Sequence, residues 1–335
     1  MESEKPIMKT AGTVVSAIIV LTLIILGIVF SDYSLTGNQR QTLITLLIVC
    51  ACSILYCFVA GEAAQNFSQM DKLWSLLPIA YSWIIAARGG MRARLVICAV
   101  IVTAWGIRLT VNFARKGAYR LKFWTGNEDY RWAIVRGSRF FQSRIAWTAF
   151  DLFFICIYQN LLVLAITLPA LACMESDAPL GVWDAAAAIL AALFLALETA
   201  ADEYQWRFHQ TKKRLLAEKG SPADLPAPYD LGFNTTGPWA RMRHPNYLGE
   251  QGIWLSLYLF AVGAGVTRHG VFHWSMLGPL LLILLFMGSS TLGEGISAKK
   301  YPLYRDYMSR VYKYIPVHKY RTASRVEIGE YAKQA

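Results

Sequence analysis

The chain has 335 residues, of which 55% are hydrophobic and only 16% charged, with a mean hydropathy of +0.36. So little charge cannot cover a water-soluble domain of this size, and the composition is that of a polytopic membrane protein. The net charge of +11 is unevenly spread, its surplus falling in 115–144, in 207–243 and after 298.

In chain order, apolar stretches close to the ~20 residues that cross a bilayer fall at about 11–30, 41–60, 73–87, 95–113, 145–172, 181–206, 250–267 and 274–292. Runs such as WDAAAAILAALFLALETAADEYQW read as helices, and no segment alternates as a barrel strand would. The expectation is an all-α, polytopic transmembrane helical bundle of about seven to eight spans, the third being the shortest, with no Rossmann domain. Residues 1–40 form an anchor span and loop, 41–320 one membrane domain, and 321–335 a disordered cytoplasmic tail. The first apolar run is too long for a cleaved leader and lacks a cleavage pattern behind it.

Alternating spans place the three basic regions on one side, which the positive-inside rule makes cytoplasmic, and leave the acidic CMESDAP on the other. Arg88, Arg92 and Arg94 conflict with that count, and a short or re-entrant third segment would remove the conflict. The six cysteines, Cys50, Cys52, Cys57, Cys98, Cys156 and Cys173, sit mostly in apolar runs without CxxC spacing, so no disulfide framework or metal site is implied. The sequons at Asn66 and Asn234 fall on the expected cytoplasmic side, where they are chance matches.

Five groups of polar residues could carry chemistry. GEAAQNFSQMDKLWSLLP places Glu62, Gln65, Asn66, Ser68, Gln69 and Asp71 before a Trp-bearing apolar segment; it is either a plain loop or, folded into the bundle, a source of acid and hydrogen-bond donors. In the fourth span Arg108 and Asn112 lie four apart on one face below Trp105, with anion binding and snorkelling both open to the arginine. The loop RKGAYRLKFWTGNEDYRW follows. On the sixth span Glu198, Asp202, Gln205 and His209 share one face by spacings of four, three and four. An interfacial helix end explains the outer members, but a carboxylate at Glu198 after a long uncharged run should face the bundle interior.

ARMRHPNYLGEQG then crowds Arg241, Arg243, His244, Asn246, Tyr247 and Glu250 against an apolar run. A positive-inside flank accounts for the arginines, whereas bidentate phosphate contacts and a polar ligand account for the whole set. The last group, Glu294, Lys300, Tyr301 and Tyr304, is an interfacial belt or part of the same ligand site. Basic loops beside intramembrane carboxylates and amides describe a cytosol-facing pocket for a polyanionic ligand, next to an apolar interior that suits a lipid. No GxGxxG follows a strand and no Walker loop is present, so a nucleotide would use a non-Rossmann site. The short, interleaved basic loops do not suit nucleic acid, and no obligate protein partner is implied.

RHPNYLGE followed by a span, a hairpin and KKYPLYRDYMSRVYKYIP resembles the superfamily of membrane steroid 5-alpha-reductases, sterol double-bond reductases and isoprenylcysteine carboxyl methyltransferases. QNFSQMDKLWSLLP, WGIRLTVNFARKG and NEDYRW are similar, more narrowly, to a largely uncharacterised branch beside the 5-alpha-reductases, and the resemblance spans roughly 60–320. It implies a helical bundle that binds NADPH in a cavity open to the cytosol and reduces a conjugated C=C of a lipid enone, 3-oxosteroid-like or a related sterol or isoprenoid. It further implies cofactor-contacting roles for Glu198, Asp202, Asn246 and Glu250, with phosphate and ribose contacts at Arg241, Arg243 and His244. Gln69, Asp71 and Trp105 fall where the family polarises its substrate carbonyl. Arg108, Asn112, Gln205, His209, Tyr247, Glu294, Lys300, Tyr301 and Tyr304 complete the expected cofactor set. The implied membrane is the endoplasmic reticulum in a eukaryote or the inner membrane in a bacterium. Two rivals share the motifs: an S-adenosylmethionine-dependent methyltransferase, which needs fewer arginines, and a non-catalytic sterol-binding protein.

Overall fold

The computed structural model describes residues 4–317, so the tail expected to be disordered over 321–335 lies outside the described residues. Among the described residues the fold is all-helical, its one β feature being an isolated bridge between Arg268 and Phe272. The chain divides into two compact units: Met1–Ala191 with Trp254–Leu284, and Ala192–Ile253 with Leu285–Ala335.

The first unit opens with α1 (Glu4–Val29), α2 (Gly37–Ala64), α3 (Gln69–Leu73), α4 (Leu76–Arg88) and α5 (Ala93–Ala114). Thr36 starts α2 with a capping box, accepting from the Gln39 amide while the Gln39 side chain caps it in return. The buried positions of α2, Gln39, Thr42, Leu46, Cys50, Ser53, Cys57 and Gly61, recur at three and four residues, which is one face of a helix. Then come α6 (Tyr130–Arg136), α7 (Arg144–Phe150), a π-helical stretch Asp151–Tyr158, α8 (Gln159–Ala165) and α9 (Leu168–Ala172).

The helices α10 (Val182–Lys219), α11 (Pro245–Gly263) and α12 (Leu277–Lys300) each contribute to both units by sequence, and α13 (Tyr304–Arg310) belongs to the second. In the second unit Leu231, Phe233, Tyr304, Tyr307 and Val311 form a buried cluster, with Tyr301 packed against it.

Among the described residues five helical stretches are long and apolar enough to cross a membrane: 37–64, 93–114, 144–165, 182–219 and 274–300. The apolar helices Val15–Val29 and Leu76–Arg88 are shorter. Helix α11 carries Asn246, Glu250 and Gln251 in its first turns, which lowers its hydropathy, so the described residues supply five candidate spans by length and composition and do not confirm the expected seven to eight. Two of the three arginines that conflicted with the charge rule, Arg92 and Arg94, are locally balanced. Arg94 Nε and Nη2 pair with Asp184 at 2.6 and 3.0 Å, both residues buried, and Arg92 pairs with Asp177 at 3.0 Å.

Candidate functional site

Polar chemistry concentrates in one cluster within each unit. In the first, NEDYRW clasps QNFSQMD. Asn66 Nδ2 donates to Gly126 O at 3.0 Å, Glu128 Oε1 accepts from the Phe67 amide at 2.6 Å, and the Asp129 amide donates to Ser68 Oγ at 2.9 Å. Trp132 Nε1 donates to Asp71 Oδ2 at 2.8 Å. Lys72 is fully buried, its Nζ donating to Phe123 O and Thr125 O at 2.8 and 2.9 Å. Gly126 permits the loop's return: at φ 116°, a Cβ would stand 2.1 Å from Ala118 O.

This clasp gives its carboxyls opposite characters. Asp71 is partly exposed as a residue but its carboxyl is enclosed, and burial, with the Asp129 charge acting the same way, pushes it above the ordinary carboxylate range. Burial acts to raise Asp129 too, but Arg131 forks onto both its oxygens at 2.9 and 3.0 Å and holds it down. Neighbouring carboxyls pushed apart in this way are the arrangement from which acid and base roles arise. Gln69 is buried, and its amide nitrogen donates to Asn66 O and Trp124 O, both at 3.0 Å. Gln69 is therefore a loop-holding residue in this state, with Oε1 accepting from Tyr56 OH at 3.3 Å.

Further along α5, Trp105 is wholly buried, meets Trp254 edge-on at 5.0 Å, and its Nε1 has no hydrogen-bond partner. Asn112 Oδ1 accepts from Arg115 Nε and Nη2 at 3.0 and 2.7 Å, and Arg108, half-buried, lies one turn earlier on the same face.

The second unit assembles the RHPNYLGE residues with the acidic stripe of α10. Asn246 Nδ2 lies 3.4 Å from Asp202 Oδ1. Glu198 and Glu250 are buried, while His209 is exposed and bonds Gln205 along the helix at 3.0 Å. Arg243 is buried, with Nε on Glu294 Oε1 at 2.7 Å and Nη1 on Met308 O and Val311 O at 2.8 and 2.6 Å. His244 Nε2 reaches the same Glu294 oxygen at 2.9 Å, and its ring stacks on Tyr247 at 5.1 Å. Burial depresses His244 below its ordinary range, although Glu294 pulls the other way.

Arg243, His244 and Glu294 thus fasten the segment after α13, and Arg241 stays exposed. Lys300 is exposed above the Tyr301 ring at 5.4 Å, and Tyr304 packs in the aromatic cluster. Several buried polar atoms here lack partners among the described residues: Gln205 Oε1, Asn234 Nδ2, Thr235 Oγ1 and Asn246 Oδ1. Such atoms are rare in a finished interior and favour a polar ligand.

The pattern of one protein family, described as "Protein of unknown function (DUF1295)", matches residues 57–311, which takes in both clusters. The chain belongs to the DUF1295 family. This family is related to the steroid 5-alpha-reductase-like proteins. An uncharacterized protein of Schizosaccharomyces pombe is 36% identical to this DUF1295 chain over 286 residues, 78% of each chain. No solved structure matches it.

Reading the sequence alone passed over two features of the site. Gly249 and Gly252 let α11 approach α10 within the second unit: a Cβ on Gly249 would lie 2.6 Å from Glu198 Cβ and 2.9 Å from Phe194 O. Their signal was a pair of small residues three apart on the helix. Asp151, 1% exposed at the start of the π-helical stretch, has Oδ2 without a hydrogen bond and Oδ1 near Cys156 Sγ at 3.6 Å. A lone acid within the apolar AFDLFFICIY was its signal.

Proposed function

We propose that this DUF1295 protein is a membrane-embedded, NADPH-dependent reductase of the conjugated C=C in a lipid enone, 3-oxosteroid-like or a related sterol or isoprenoid. The observation that carries the reading is Asp71, an enclosed carboxyl held by Trp132 Nε1 at 2.8 Å and pushed above its ordinary range by burial, beside Asp129, which Arg131 holds down. Methyl transfer from a sulfonium needs no buried proton donor, whereas saturating an enone needs a proton as well as a hydride.

The second unit's residues fit a phosphorylated dinucleotide. The partnerless oxygens of Gln205 and Asn246 suit a carboxamide or hydroxyl donor, Asp202 suits a ribose hydroxyl, and exposed Arg241 suits a phosphate. Glu198 and Glu250 line the same helix pair, and Arg243, His244, Tyr247 and Glu294 act by positioning α11 and the segment after α13. A nicotinamide cofactor held by these residues would supply the hydride of the reduction. Asp71 is the acid we assign to the proton that the reduction also requires, with Trp132 orienting its carboxyl through Oδ2 and Gln69 fixing the surrounding loop.

The test uses Asp71→Asn in the detergent-purified full chain. NADPH should raise the melting point of wild type and variant alike. Enone-dependent NADPH oxidation should fall by ~10²-fold or more in the variant alone. Full turnover by Asp71→Asn removes the acid from the chemistry, and stabilisation by S-adenosylmethionine without any by NADPH overturns the reductase.

A further inference from the structure

A separate cavity of about 170 Å³ in the first unit is lined by Glu62, Gln65, Arg136, Arg144, Trp147 and Thr148, among others. It exceeds by more than tenfold the ~10–15 Å³ in which one water fits. We propose that it is a binding site for the headgroup of a zwitterionic phospholipid carrying a phosphodiester and a primary ammonium.

The cavity holds unbalanced charges of both signs. Arg144 is exposed and makes no ion pair or hydrogen bond among the described residues. Arg136 lies over the rings of Phe67 and Trp147 at 5.3 and 5.7 Å, within electrostatic reach of Glu128, and donates one bond to Gln65 Oε1 at 3.3 Å. A guanidinium attracted to two ring faces spends only one of its five donors on protein here, and the others can meet phosphate oxygens in the cavity. Glu62 Oε1 accepts from Thr148 Oγ1 at 3.0 Å, and no cation pairs with Glu62 among the described residues. Trp147 is 2% exposed and its Nε1 has no acceptor.

A simple anion would be drawn to the arginines and repelled by Glu62, and a simple cation would meet the reverse. A ligand with both charges satisfies the whole set. Position selects the lipid as its source: the cavity lies where α2 ends at Ala64 and where the span 144–165 begins, the level at which apolar helices meet headgroups.

Binding to the detergent-purified full chain is measured with dioleoylphosphatidylethanolamine, dioleoylphosphatidylglycerol, free O-phosphoethanolamine and inorganic phosphate. The wild type should prefer the ethanolamine lipid to the glycerol lipid about tenfold, the ratio set by one modest ion pair. Glu62→Gln should abolish that preference, and Arg144→Gln should weaken both lipids. Equal binding of the two lipids overturns the zwitterion, and free phosphoethanolamine or phosphate binding as tightly as the lipid overturns the membrane as its source. If Glu62→Gln does not fold, Arg144→Gln on its exposed residue decides, and unchanged lipid binding by that variant ends the proposal.

Discussion

Glu294 shows how a single residue can hold a segment in place. It lies deep in α12 and accepts from both Arg243 and His244, while Arg243 also grips the carbonyls of Met308 and Val311. Glu294→Gln keeps the shape and deletes the charge, leaving the Arg243 guanidinium buried and under-compensated. Unfolding in detergent should then come earlier by a loss on the order of 3 kcal/mol. Lys313→Gln, at a side chain 20% exposed whose Nζ lies 3.7 Å from Glu294 Oε2, should cost under ~1 kcal/mol, as loose, partly exposed pairs do. Equal losses for the two variants would show that the buried triad is not the anchor. His244 adds a pH dependence. Burial makes it harder to protonate in the fold, whereas the unfolded chain takes up a proton near the ordinary value of 6.5. Stability should be full above about 6.5 and fall as pH drops through that value toward the lowered one, and His244→Gln should flatten the slope in a melting series over pH. The sequence made the polarity of these residues legible but not their allegiance: Arg243 read as a phosphate fork, and only its contacts with backbone carbonyls far along the chain identify it as a clamp.

At the scale of elements, the contact between α10 and α11 within the second unit decides where the candidate site's carboxylates and amides lie. The four- and three-residue spacings of Glu198, Asp202, Gln205 and His209 were enough to put them on one stripe. What faces that stripe depended on Gly249 and Gly252, whose missing side chains are filled by Glu198 and by the Phe194 ring. Gly249→Ala would push a methyl to 2.9 Å from the Phe194 carbonyl and 3.0 Å from Glu198 Cα, backbone atoms that cannot rotate aside. Overpacking of this kind costs ~1–3 kcal/mol. The variant should melt earlier and lose NADPH-induced stabilisation more than Arg241→Gln, which removes one exposed charge and leaves the helix contact intact. The reverse order would mean that phosphate contact, and not helix approach, governs the site. In the first unit the legible part was again the motifs, QNFSQMD and NEDYRW. Their mutual clasp was not legible, because it runs through loop carbonyls and amides that no periodicity reports.

For the molecule as a whole, charge and apolar length are the two quantities that a sequence states most directly, and they disagreed at Arg88, Arg92 and Arg94. Pairing accounts for Arg92 and Arg94. Arg94 is buried against Asp184 and three backbone carbonyls, and Arg92 meets Asp177 and Met174 O, so these cations are balanced by the acidic segment beside them. The positive-inside rule counts Lys and Arg near span ends, and the loop after α5 is rich in them, with Arg115, Lys116, Arg120, Lys122, Arg136 and Arg139. Because the span 93–114 separates the two regions, they should open to opposite sides of the membrane. In sealed vesicles of known orientation, an impermeant maleimide should label Arg139→Cys from the cytosolic face and Asp177→Cys, whose native side chain is 91% exposed, from the opposite face. Labelling of both from one face would mean that 93–114 does not cross. Labelling in the reverse sense would put the basic loop outside, and a cytosolic dinucleotide site would then lose the electrostatic argument that first suggested it.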